Sequence, residues 1–122
     1  MQKVKGIGGF FFQSNQPDKL ALWYEKHLGI PQVPQSYDED PWKQEGGFTV
    51  FTPFDSSNGY LSRFNRGWCM NFRVDNLDAL VEQLRSAGIT VEVEQETYPN
   101  GRFAWLEDPD GNPIQLWEEA VN

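Results

Sequence analysis

The sequence has one cysteine, Cys69, and one histidine, His27. A single thiol excludes an internal disulfide and fits a reducing compartment. His27 falls late in a helical stretch, where a solvated imidazole beside the helix C-terminus is an ordinary arrangement. Basic residues are also scarce, ten against eighteen acidic, for a formal charge of −8. That balance excludes the basic stripe a nucleic-acid binder needs and repels anionic membranes. It serves solubility and suits cationic or neutral ligands. No apolar run approaches the roughly 20 residues of a membrane span. The start, Met1-Gln2-Lys3-Val4-Lys5-Gly6, lacks a secretory apolar region, so a cytoplasmic location is expected.

What is present is material for one folded domain. The 122 residues suit a single core. A chain of this length buries roughly two-thirds of its unfolded surface. Phe, Trp and Tyr, at 15% of residues, supply bulky side chains to fill the core.

Residues 7–12, with Gly8-Gly9 before Phe10-Phe11-Phe12, predict a buried strand. Ser14 or Asn15 then caps a helix with Pro17 in its first turn. Leu20, Trp23, Tyr24 and Leu28 form its inward face, and Gly29 ends it before Pro31. Residues 32–46 hold Pro34, Pro41 and the acidic Asp38-Glu39-Asp40, and predict a short strand at 32–37 followed by an exposed loop. Residues 48–51 alternate as a strand, and 60–64 form a further short one.

A second cycle begins near Trp68. Residues 68–74 predict a strand with Met70, Phe72 and Val74 on one face and Cys69, Asn71 and Arg73 on the other. Asp75 or Asn76 caps a helix with the inner stripe Leu77, Leu80, Val81 and Leu84, ended at Gly88. Strands at 89–94, 101–106 and 114–117 follow, the last two joined by the turn Asp108-Pro109-Asp110-Gly111-Asn112. Gly29-Ile30 and Gly88-Ile89 stand at equivalent places after the two helices. The pattern is an α+β chain with two similar halves, at about residues 3–64 and 66–120 of one domain.

The chain resembles the vicinal oxygen chelate superfamily, which includes glyoxalase, bleomycin-resistance and extradiol dioxygenase-like proteins. The resemblance rests on Gly8-Gly9-Phe10-Phe11-Phe12, on residues 17–24 with Leu28-Gly29-Ile30, on residues 71–78, and on Gly101-Arg102-Phe103-Ala104-Trp105 running through the 108–112 turn to Glu118. It implies two βαβββ modules, a mixed sheet curled round a central cavity, and helices outside. It also implies a homodimer and a small organic ligand in the cavity. Strand alternation then directs Phe11, Gln13, Cys69, Asn71, Arg73, Gln115 and Trp117 to the cavity. Arg102, in the matched Gly-Arg-Phe segment, is expected at the cavity or its rim, with a ligand carboxylate and a structural salt bridge as equal alternatives for its partner. Trp42, Tyr60, Trp105 and Trp117 are candidates to line an aromatic pocket, with core packing as the alternative.

Metal-dependent members of the superfamily draw His, Gln and Glu ligands from four strands. Here the matching positions hold Gly9, Cys69 and Gln115, and the fourth falls within 59–63, which has no Glu, Asp or His. The resemblance therefore implies no family-type metal site and no cofactor. Without a metal, glyoxalase-like chemistry loses the ion that polarises its substrate oxygen. The expected function is metal-free binding of a small molecule. The alternative is a lyase, isomerase or dioxygenase with a non-standard metal site or none.

Overall fold

The computed structural model describes residues 1–61 and 66–121. Its regular structure comprises α1 (Pro17–Leu28), β1 (Met70–Arg73), α2 (Leu77–Ser86), β2 (Glu92–Val93), β3 (Gly101–Glu107) and β4 (Pro113–Glu119). The strands form one open mixed sheet in the order β1-β4-β3-β2, with β1 parallel to β4 and the other pairs antiparallel. The fold is α+β, as the sequence predicts.

Each helix begins and ends for identifiable reasons. Pro17 opens α1 with a preset φ and no orphan N–H, so Gln16 stands at the N-cap without a side-chain bond. Ser14 accepts the Gln16 N–H at 3.1 Å, bracing the entry rather than capping the helix. Gly29 takes the left-handed conformation, φ 71°, that ends α1. In α2, the Asn76 side chain accepts from the Ala79 N–H at 3.0 Å, and the Glu118 carboxylate accepts from the Leu77 N–H at 2.8 Å. Two otherwise orphaned donors are thereby satisfied.

Both helices lie on one face of the sheet. Leu20 and Tyr24 of α1 join Leu77, Val81 and Leu84 of α2 over Ala104, Leu106, Ile114 and Leu116. Leu77, Ile114 and Leu116 are fully buried, each worth about 1.5–3 kcal/mol of transfer free energy. Met70, Phe72 and Val74 pack against this cluster, as the alternation of residues 68–74 predicts.

A buried polar cluster ties α1 to the β3–β4 turn. The Tyr24 hydroxyl donates to Asp108 Oδ2 at 2.6 Å. Asn112 Nδ2 donates to the same oxygen at 2.7 Å, while Asp108 Oδ1 accepts the N–H groups of Asp110 and Asn112, each at 2.9 Å. Burial, and then the Asp108 carboxylate, push the Tyr24 phenol far above its ordinary value. The motif at 108–112 is thus both a turn and a socket for the first helix.

Two expectations are revised. The strand expected at 89–94 shortens to Glu92–Val93. The Ile89 N–H is bound to the Leu84 carbonyl and the Val91 carbonyl accepts from Arg85 at 2.7 Å, so this stretch is tied to the end of α2. In the first half, residues 7–12, 32–37 and 48–51 carry no strand. At residues 10–12 the alternation has a different use. Phe10 packs edge-on to Trp68 and Phe12 edge-on to Tyr24, at centroid separations of 5.2 and 6.2 Å, while Phe11 between them is 94% exposed. Period-two patterning sorts side chains even where no neighbouring backbone completes a ladder. Of the strand expected at 60–64, residues 62–64 lie outside the described residues. Among the described residues no helix is long and apolar enough to cross a membrane.

Candidate functional site

The sheet face opposite the helices presents two rows of side chains, fixed by strand register. Asn71, Gln115, Trp105 and Glu92 form one row, from β1 through β4 and β3 to β2. Arg73, Trp117 and Phe103 form the next. Alternation thus places Asn71, Arg73, Gln115 and Trp117 together, as expected.

A directed chain of hydrogen bonds crosses the first row. Asn71 Nδ2 donates to Gln115 Oε1 at 2.7 Å, and Gln115 Nε2 donates to the Tyr60 hydroxyl at 2.6 Å. Gln115 is only 5% exposed, so these bonds satisfy an amide that burial would otherwise penalise. Asn71 is exposed and leaves its carbonyl oxygen outward as an acceptor. Aromatic rings flank the chain. Tyr60 meets Trp105 edge-on at 5.5 Å and Phe54 at 5.2 Å, and Phe103 stacks on Trp117 at 6.2 Å and 8°. Trp117 Nε1 donates to the Asn100 carbonyl at 2.8 Å, which fixes that indole.

Arg73 reaches from the second row to the backbone of residues 45–46. Its guanidinium donates to the Glu45 carbonyl at 2.8 Å and the Gly46 carbonyl at 3.1 Å. Cys69, just before β1, is half-buried, and burial pushes its thiol up. At neutral pH it is a thiol rather than a nucleophilic thiolate.

Three expected site residues fall elsewhere. Arg102 has the parity of Ala104 and Leu106, so it lies on the helix side, where it pairs with Asp78 at 2.9 Å. Of the two partners expected for Arg102, the structure shows the salt bridge. Phe11 and Gln13 are exposed and share no hydrogen bond or ring contact with the amide chain among the described residues. Tyr60 and Trp105, expected as aromatic-pocket candidates, lie beside the amide chain, and Phe103, not singled out from the sequence, joins them. For Trp105 and Phe103 the signal is register, since both alternate with Ala104 and Leu106. Tyr60 follows a turn and has no periodic signal.

Residues 9–117 match the glyoxalase-like domain family. The chain belongs to that family. Among similar proteins, the uncharacterized protein YaeR of Escherichia coli (strain K12) is 39% identical over 49 residues, which is 39% of this chain and 38% of that protein. The chain therefore matches well under half the length of that curated relative. A lactoylglutathione lyase from Agrobacterium tumefaciens superposes over 96% of both chains with a TM-score of 0.58 and 19% identity. A member of the glyoxalase/bleomycin resistance protein/dioxygenase superfamily from Sphaerobacter thermophilus DSM 20745 superposes over 84% of this chain and 88% of its own, with a TM-score of 0.51 and 24% identity. These two likenesses establish the shared fold.

Family membership raises the question of a metal, and the donors present do not fit one. Gly9 offers no side chain. Cys69 offers a single half-buried thiol, with no second cysteine in the chain to share an ion. Gln115 uses its oxygen to accept from Asn71 and its nitrogen to donate to Tyr60. Divalent ions of this class need several nitrogen or oxygen donors at about 2.0–2.2 Å. Among the described residues, no three His, Cys, Asp or Glu side chains are grouped to supply them. Part of the fourth position, within 59–63, lies outside the described residues.

Proposed function

We propose that this glyoxalase-like domain binds a small organic molecule on the face formed by Asn71, Gln115, Tyr60 and the flanking aromatics, without a family-type metal ion. The observation that carries the reading is the Asn71–Gln115–Tyr60 chain. A side chain at a family ligand position is committed to neutral hydrogen bonds, and the chain ends in an outward amide acceptor beside stacked rings. Convergent polar groups set in an aromatic wall suit recognition of a flat neutral or cationic molecule.

The test has two arms. Purified protein is dialysed against Zn²⁺, Ni²⁺ and Mn²⁺ and its metal content measured, with substoichiometric metal expected. About one tightly held ion per chain would overturn the reading in favour of a superfamily lyase, isomerase or dioxygenase with a non-standard site. In the second arm, aromatic compounds are screened by thermal shift against the native protein and the Asn71→Ala variant. Ligands that stabilise the native protein should lose about tenfold or more in affinity to the variant, the usual scale for one hydrogen bond to a ligand. Equal shifts in both proteins would remove Asn71 from the site.

The binding form is a homodimer. Ile7, Phe11, Phe48, Val50 and Phe51 are between 57% and 94% exposed, apolar surface that a second copy of the chain would cover. Sedimentation equilibrium should give twice the 14.1 kDa chain mass, and a monomer at micromolar concentration would contradict the assignment.

A further inference from the structure

We infer that Arg73 and Gly47 form a latch that holds the backbone at Glu45-Gly46 beside the sheet face and so anchors the stretch that leads to Tyr60 and the amide chain. The inference rests on the site proposed above for its purpose, and on the structure alone for its geometry. The half-buried Arg73 donates one N–H each to two consecutive carbonyls, Glu45 and Gly46. A guanidinium can span two such acceptors because its donors form a rigid planar fork, which a lysine ammonium lacks. Among the described residues Arg73 has no carboxylate in an ion pair, unlike Arg102 with Asp78. Its charge is given to the segment's backbone.

Gly47 is a second, independent sign that the contact is built. A Cβ at this position would overlap the Arg73 Nη1 and stand 2.8 Å from its Cζ. Only a residue without a side chain lets the guanidinium lie flat against the backbone here. The overlapped atoms are the far end of a flexible side chain, so an alanine would displace the arginine and break its two bonds while leaving the sheet in place. Position gives the contact its consequence. Arg73 lies two residues along β1 from Asn71 and therefore on the same face. The latched segment leads on to Tyr60, which receives the amide chain. Holding residues 45–46 against Arg73 fixes one end of the stretch whose other end completes the site.

Limited digestion with a glutamate-specific protease reads the latch directly and needs no ligand. The bond cut after Glu45 has the carbonyl that Arg73 holds, so cleavage there requires release. Glu39, exposed and outside the latch, is the internal reference, and Glu107 in β3 reports on the sheet. In Arg73→Met and in Gly47→Ala, cleavage after Glu45 should rise about tenfold relative to Glu39, as expected for the loss of charge-assisted bonds. Arg73→Lys should fall between, because it keeps the charge without the fork. Equal Glu45-to-Glu39 ratios in the native protein and both variants would overturn the latch. So would a parallel rise at Glu107, which would mark general loosening of the sheet. Failure of the ligand screen with a positive digestion result would sink the binding reading and leave the latch standing.

Discussion

Replacing Asp108 by alanine should cost about 3–4 kcal/mol and lower the melting temperature by roughly 10–15 °C. The size follows from what the carboxylate holds. Asp108 is 4% exposed and accepts four hydrogen bonds, from the Tyr24 hydroxyl, Asn112 Nδ2 and the backbone N–H groups of Asp110 and Asn112. Alanine leaves all four donors without their acceptor, and stranded buried donors cost more than a bond contributes net. Tyr24→Phe removes only one of the four and should cost about 1 kcal/mol. Thermal unfolding of both variants checks the ratio. An Asp108→Ala loss no larger than that of Tyr24→Phe would show that the turn does not depend on the carboxylate.

The same bond has an alkaline signature. Burial and the Asp108 carboxylate hold the folded Tyr24 phenol protonated far above its ordinary value. Because the folded pKa is raised, the stabilisation is complete below the ordinary phenol range and declines as pH climbs through it. Stability measured against pH should therefore fall more steeply on the alkaline side in the native protein than in Tyr24→Phe.

Gly101→Ala should be comparably severe, at about 3 kcal/mol or more. Gly101 has φ 134°, a backbone conformation that side chains rarely adopt, at the point where β3 leaves its turn. An added Cβ would also run into the Glu118 carbonyl oxygen of β4 and stand 2.9 Å from Trp117 Nε1. The obstacle is central-strand backbone, which cannot swing aside. Trp117 would lose its seat on the Asn100 carbonyl and its stacking on Phe103. Urea unfolding reads the stability, and near-ultraviolet circular dichroism reads the ordered indole. An unchanged urea midpoint would show that the turn can relax around a methyl group.

Much of the second half was legible from the sequence because its signals are local and agree. Asn76 caps α2, its stripe is regular, and the alternations at 70–74 and 113–117 each have a buried face to set them. The first half is harder for a physical reason. Phe10 and Phe12 make ring contacts while Phe11 is exposed, and residues 48–51 are exposed throughout; in both segments a strand also needs neighbouring backbone, which no local pattern specifies. At the site, parity placed Asn71, Arg73, Gln115 and Trp117 on one face. Arg102 takes the structural salt bridge of its two expected partners, and its parity with Ala104 and Leu106 is the sequence signal that favours the helix side. The Glu45 and Gly46 carbonyls carry no side-chain signal, and only the adjacent Gly46-Gly47 pair marks a place of close backbone approach.

The Tyr24–Asp108 bond also joins residues 84 positions apart. Closing a flexible loop of that size costs on the order of 4 kcal/mol in chain entropy. One hydrogen bond, even to a carboxylate, returns about 1.5–3 kcal/mol. The first helix therefore cannot dock by its hydroxyl alone. Leu20, Trp23 and Leu28 must seat in the same event, so the attachment of the N-terminal half is cooperative, with no stable half-docked state between bound and free helix.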